Sequence, residues 1–131
     1  MSKILKIRAR QVFDSRGNPT IEAEVYSKNL SASAICPSGA STGTYEAFEK
    51  RDKNNNKYLG KSVLSAVNLV NTKISKKLSG TSIHDQTRID TTLINLDGTQ
   101  QKTNLGANSI LAVSMAAKKL SAKIKNIPLY K

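Results

Sequence analysis

The chain has few of the side chains from which common catalytic and metal centres are built. One cysteine, Cys36, and one histidine, His84, occur in 131 residues. An internal disulfide, a cysteine-based zinc site and a three-histidine zinc site are therefore excluded. A Ser-His-Asp triad would have to be assembled around His84. Long apolar runs are missing too: the longest, Ile110 to Ala117, is eight residues and includes Ser114. Nothing of that length spans a bilayer. The opening Met1-Ser-Lys-Ile-Leu-Lys-Ile-Arg8 has charge but no apolar stretch of signal-peptide length, so the expected compartment is the cytoplasm.

Acidic residues are scarce: nine Asp and Glu stand against 21 Lys and Arg, giving a formal charge of +12, and none follows Asp97. Such an excess raises nucleic-acid binding as a function. Sixteen of the basic residues are lysines, accompanied by eleven Asn and eleven Ile, a composition that also arises by drift in AT-rich genomes. The lysines are scattered, and the few aromatics (Phe13, Tyr26, Tyr45, Phe48, Tyr58, Tyr130) do not interleave with them as a stacking platform requires. Nucleic acid is therefore not expected as a primary partner. The imbalance also fits a segment whose acidic counterpart lies elsewhere in a longer polypeptide.

What is present is a soluble composition, 38% hydrophobic, long enough for one core. Lys3 to Ala9 alternates, with Leu5, Ile7 and Ala9 on one side, and predicts a half-buried strand. Val12 and Phe13 break the phase, which predicts a bulge. Asp14 to Thr20 is dense in turn formers. Thr20 to Tyr26 alternates again, with Ile21, Ala23 and Val25 inward and Glu22 and Glu24 outward. After a turn at Ser27-Lys-Asn29, Ser31 to Cys36 alternates a third time. From Ser62 the period becomes helical, with Val63, Val67 and Val70 or Ile74 on one face and Gly80 as the stop. Ser82 with Asp85 resembles a capping box ahead of a helix that Gly98 closes. Asn104 is the expected cap of a last helix burying Ile110, Val113, Ala117, Leu120 and Ile124, stopped by Pro128. Strands first and helices after predict an α+β fold: a three-stranded antiparallel β-meander followed by a helical bundle packed on one face.

Ser38-Gly-Ala-Ser-Thr-Gly43 is the most suggestive segment for chemistry. Small residues let backbone N–H groups approach an anion, and the hydroxyls suit a hard cation. No Lys follows the second Gly, so it is not a Walker A loop, and taken alone it reads first as a flexible turn. Asp14 and Arg16 fit an Asx-turn with a solvated arginine. Glu46, Glu49 and Asp52 read as metal ligands or as a solvated helical turn, since Glu46 and Glu49 could share a helix face. His84 is expected at the surface or as a cap, and Cys36 as a small buried hydrophobe. No supported acid–base pair can be assembled, so no catalytic residue is expected within the chain.

Several strings together resemble the enolase (phosphopyruvate hydratase) family. Phe13-Asp-Ser-Arg-Gly-Asn-Pro-Thr-Ile-Glu-Ala-Glu-Val25 is similar to its opening, and Pro37-Ser-Gly-Ala-Ser-Thr-Gly-Thr-Tyr-Glu-Ala-Phe48 to its first mobile loop. Arg51-Asp52, Tyr58-Leu-Gly-Lys61, Ala66-Val-Asn68, Asp85-Gln86, Leu96-Asp-Gly-Thr99, Leu105-Gly-Ala-Asn-Ser-Ile110 and Pro128-Leu-Tyr130 follow in order. Cys36, where the family usually has a small aliphatic residue, and Lys50 are the departures. The resemblance implies an N-terminal domain, residues 1–131, followed in a parent chain by an α/β barrel of roughly 300 residues. That barrel would hold the catalytic Lys and Glu residues and the carboxylates of the tightly bound magnesium, leaving this chain inactive alone. The implied reaction is the reversible, Mg2+-dependent dehydration of 2-phosphoglycerate to phosphoenolpyruvate in glycolysis, by a lyase that is a homodimer or higher oligomer. Two Mg2+ per active site are implied. Ser41 would give its hydroxyl and carbonyl to the second. Gly39 and Ala40 would lie at the substrate carboxylate, within a loop that includes Thr42 and Gly43. Arg10 and Glu22 would lie at ion pairs across the dimer. The competing reading is a stand-alone basic module that binds RNA or protein through the same fold.

Overall fold

The computed structural model describes residues 2–37, 46–53 and 56–131. Its three strands, β1 (Lys6–Phe13), β2 (Pro19–Tyr26) and β3 (Ser31–Ile35), form an antiparallel sheet in sequence order. The first turn is set by Asp14, whose Oδ1 accepts from the amides of Arg16 and Asn18, both at 2.9 Å. Gly17 supplies the left-handed residue that closes it, at φ +77°. The second turn closes with the Ser27 amide donating to the Leu30 carbonyl at 2.9 Å.

Two details of β1 differ from the expectation. No bulge interrupts it: Gln11 pairs with Ile21, Val12 with Thr20 and Phe13 with Pro19 in unbroken register. The apparent break in phase comes from a polar residue at an inward position. Gln11 faces the helices, where its Oε1 accepts from the Val63 amide at 2.8 Å and from Ser62 Oγ at 2.9 Å. Leu5, expected inward, is 56% exposed, while Ile4 is buried. Ahead of β1 the chain changes partner, with the Ile4 amide donating to the Thr81 carbonyl, and the phase shifts by one residue.

Helices follow. α1 (Leu64–Leu69) widens into a π-helical turn (Val70–Ile74) and continues as α2 (Ser75–Leu78). This stretch covers the free edge of β1. Asn71 Oδ1 accepts from the Ala9 amide at 2.7 Å and Ser75 Oγ from the Ile7 amide at 3.0 Å, so the edge strand keeps no open ladder there. α3 (Gln86–Asp97) begins at Asp85, whose side chain accepts from the Arg88 amide, and ends at left-handed Gly98. α4 (Ala107–Lys125) lays a face of small residues, Ala112, Ala116 and Ala117, on β2 and β3. Val113 and Leu120 are fully buried there as expected, while Ile110 and Ile124 are only partly so. One core joins Ile7, Ile21, Ala23 and Val25 of the sheet to Val70, Ile74, Leu93 and Leu120 of the helices. The other face of the sheet is polar and open, so the α+β arrangement with helices on one side stands as read.

The expected cap of α4 is corrected. Gly106, not Asn104, precedes the helix, and Asn104 instead donates to the Asp97 carbonyl at 2.7 Å. Asp97 organises that connection: its buried carboxylate accepts from the Leu105 amide at 2.7 Å, the Thr99 amide at 2.9 Å and the Thr99 hydroxyl. Burial pushes the carboxyl up, but the Thr99 and Leu105 bonds outweigh it and hold it below the usual carboxylate range.

Candidate functional site

The segment with the strongest chemical signal, Gly39, Ala40, Ser41, Thr42 and Gly43, lies outside the described residues. Both backbone flanks of it are described. On one side the Cys36 amide donates to the Ile21 carbonyl at 3.0 Å, which carries the β2–β3 pairing one residue past the end of β3. The buried Thr20 hydroxyl donates to the Cys36 carbonyl at 2.8 Å. Cys36 is the small buried hydrophobe expected from its parity, and burial, with a lesser push from the Glu49 charge, raises its thiol to about 11.

On the other side, residues 46–53 form no helix. Glu46 and Glu49 therefore share no helical face. The segment runs along the start of α4: the Phe48 amide donates to the Gln101 carbonyl, and the Phe48 carbonyl accepts from the Ala107 amide, both at 2.7 Å. Glu49 pairs with Arg51, whose guanidinium also donates to the Pro19 carbonyl at 2.8 Å and to the Lys61 carbonyl. Asp52 caps α1, accepting from the Leu64 and Ser65 amides, both at 3.0 Å. Burial raises its carboxyl, but the bond from the Ser65 hydroxyl, with those from the amides, prevails and lowers it. The acidic trio thus has structural partners for Glu49 and Asp52, and among the described residues no group of three or more His, Cys, Asp or Glu is placed to hold a metal. Cys36 and Pro37 from one flank, and Glu46 and Ala47 from the other, line one cavity of about 130 Å³ with Asn108 in its wall.

Elsewhere, Asp14 and Arg16 form the expected Asx-turn. His84, expected at the surface or as a cap, is half-buried, with its Nδ1 2.7 Å from Ser121 Oγ. Arg10 and Glu22 face each other on the open side of the sheet, in register and 2.6 Å apart. Sequence reading missed the third member, Glu24, which takes the other Arg10 nitrogen at 3.1 Å and accepts from Tyr26 Oη at 2.5 Å and Ser31 Oγ at 3.0 Å. Bonds to Glu22 and Glu24 hold the guanidinium pKa above its usual value, and bonds from Tyr26 and Arg10 hold Glu24 below its own.

The family model described as "Enolase, N-terminal domain" matches residues 4–131. The chain belongs to the enolase family. It is 91% identical over all 131 residues to the enolase of Pelagibacter ubique, of which it covers 31%. Over 129 residues it is 55% identical to the enolase of Methanosarcina acetivorans and 54% identical to that of Methanosarcina mazei, covering 30% of each. The chain thus spans about a third of the length of these relatives. Against this enolase background, the side chains that hold the loop flanks, Thr20 and Asn108, had no signal in local patterning. Thr20 reads as a plain strand residue, and Asn108 as one more polar residue in a helix.

Proposed function

We propose that this chain is the N-terminal part of an enolase that reversibly dehydrates 2-phosphoglycerate to phosphoenolpyruvate, with the catalytic groups in a barrel domain that follows in the parent. The observation that carries the reading is 91% identity over the whole chain to an enolase about three times its length. The contribution assigned to this segment is the active-site loop Gly39–Gly43. Backbone N–H groups at Gly39 and Ala40 would be directed at the substrate carboxylate, where negative charge grows as the neighbouring proton leaves. The hydroxyl and carbonyl of Ser41 are hard oxygen donors, which suit magnesium. With no metal-sized acidic cluster among the described residues, this chain would supply only a share of the ligands. Magnesium, when bound, supplies positive charge against the carboxylate and so makes the adjacent proton easier to remove. The hydrogen bonds that fix Cys36 and Lys50 support a segment tied at both ends.

The open face of the sheet, with Arg10, Glu22 and Glu24, is proposed as part of the homodimer contact. One guanidinium shared between two carboxylates leaves a negative charge in excess, so a cationic partner group would extend an existing network, favouring orientation and specificity over bulk affinity.

The experiment joins this chain to the remaining two thirds of the Pelagibacter relative and compares Ser41 with Ser41→Ala. Turnover should fall roughly 10- to 100-fold, with more magnesium needed for half-maximal rate. Equal turnover at equal magnesium dependence would remove Ser41 from the site.

A further inference from the structure

We propose that Asn108 and Thr20 are positioning residues that fix the two backbone flanks of residues 38–45, and so set the geometry from which that segment is presented. The catalytic consequence rests on the function proposed above; the anchoring does not.

Residues 46–53 lack regular structure, so their half-buried backbone groups find partners outside a ladder. Lys50 finds both in one side chain. Its amide donates to Asn108 Oδ1 and its carbonyl accepts from Asn108 Nδ2, each at 3.0 Å. A side-chain amide offers an acceptor and a donor on one planar group, and Asn108 is 3% exposed. The approach is close. A Cβ on Gly106 would lie 2.5 Å from Lys50 Cβ and 2.6 Å from Asn108 Oδ1, and Gly106 sits at φ +88°. Position 106 therefore takes no side chain without moving the flank. The Phe48–Ala107 bond also serves a helix N-terminus that has no side-chain cap.

Thr20 plays the matching part opposite. It is equally buried, and its hydroxyl fixes the Cys36 carbonyl, two residues before position 38. Both flanks meet at the same small cavity. Each side chain spends its polar atoms on one flank. A group displaced by about 1 Å from its reacting geometry loses up to about 100-fold in rate, so a slack flank should be read in kcat/KM while the core stays intact.

The test uses this chain fused to the rest of the Pelagibacter relative. Hydrogen exchange is followed in peptides covering 46–53 and α4, alongside kcat/KM for 2-phosphoglycerate. Asn108→Ala should speed exchange of the Lys50 amide at least tenfold, leave the Val113 and Ala116 amides unchanged, and lower kcat/KM roughly tenfold. Asn108→Asp keeps the acceptor for the Lys50 amide but sets a carboxylate oxygen against the Lys50 carbonyl, so it should restore only part of the protection and of the rate. It also serves if the alanine variant does not fold. Thr20→Val, nearly isosteric, should lower kcat/KM without unfolding. Unchanged exchange at Lys50, or lost protection with unchanged kcat/KM, overturns the proposal. If the unsubstituted fusion folds but has no enolase turnover, the reaction assignment fails and the exchange result alone decides the anchoring.

Discussion

Asp97 contributes through hydrogen bonds rather than through charge pairing. Three donors converge on one buried carboxylate, which ties the end of α3 to the turn that starts α4. Because its folded-state pKa is depressed, its stabilisation is fully present above the unfolded carboxylate range near 4 and is lost as pH falls through the lower folded value. Asp97→Asn should destabilise the fold by about 1–3 kcal/mol at neutral pH. The gap from the unsubstituted chain should close as acid protonates Asp97 and leaves it chemically close to asparagine. Denaturant melts at pH 7 and pH 3 check this, and a gap that stays constant across that range contradicts it. The sequence displayed Asp97 as part of a helix end but not as its organiser, since its donors lie two and eight residues away and depend on the path of the loop. Cys36 was the opposite case: strand parity alone placed it inside, where burial holds the thiol protonated.

The strands and α3 were legible because their signals are local. Period-two alternation marked three strands, Asp14 and Gly17 marked the first turn, and Asp85 and Gly98 marked the two ends of α3. The start of α4 was misplaced by two residues because Asn104 has the chemistry of a cap and Gly106 does not. The choice was made by a segment more than fifty residues earlier in the chain, which fills the space over Gly106. The bulge expected at Val12 had the same origin, since Gln11 is inward to satisfy Val63, a contact no local pattern encodes. Gly106→Ala combines a left-handed backbone with a methyl 2.5 Å from Lys50 Cβ. It should cost about 2–4 kcal/mol, read as a fall in melting temperature, whereas Gly80→Ala, with nothing within 4 Å of its Cβ, should show the smaller strain cost alone. Equal losses at the two glycines would mean that the flank does not press on α4.

At the scale of the molecule, a rigid platform carries helices on one face, a charged network on the other, and two pinned flanks at one cavity. The candidate site was legible through resemblance and not through local physics. Ser38 to Gly43 alone matches an ordinary turn, and the flank anchors are visible only once α4 is folded against residues 46–53. On the function proposed above, the formal charge of +12 belongs to one part of a longer polypeptide. The central claim is that these residues complete an enolase. The most direct measurement is the rate of phosphoenolpyruvate formation from 2-phosphoglycerate by this chain joined to the remaining two thirds of the Pelagibacter enolase, beside the 131 residues alone. The fusion should turn over within about tenfold of the intact relative, and the isolated chain not at all. A folded, dimeric fusion without turnover, or dehydration by the isolated chain, would contradict it.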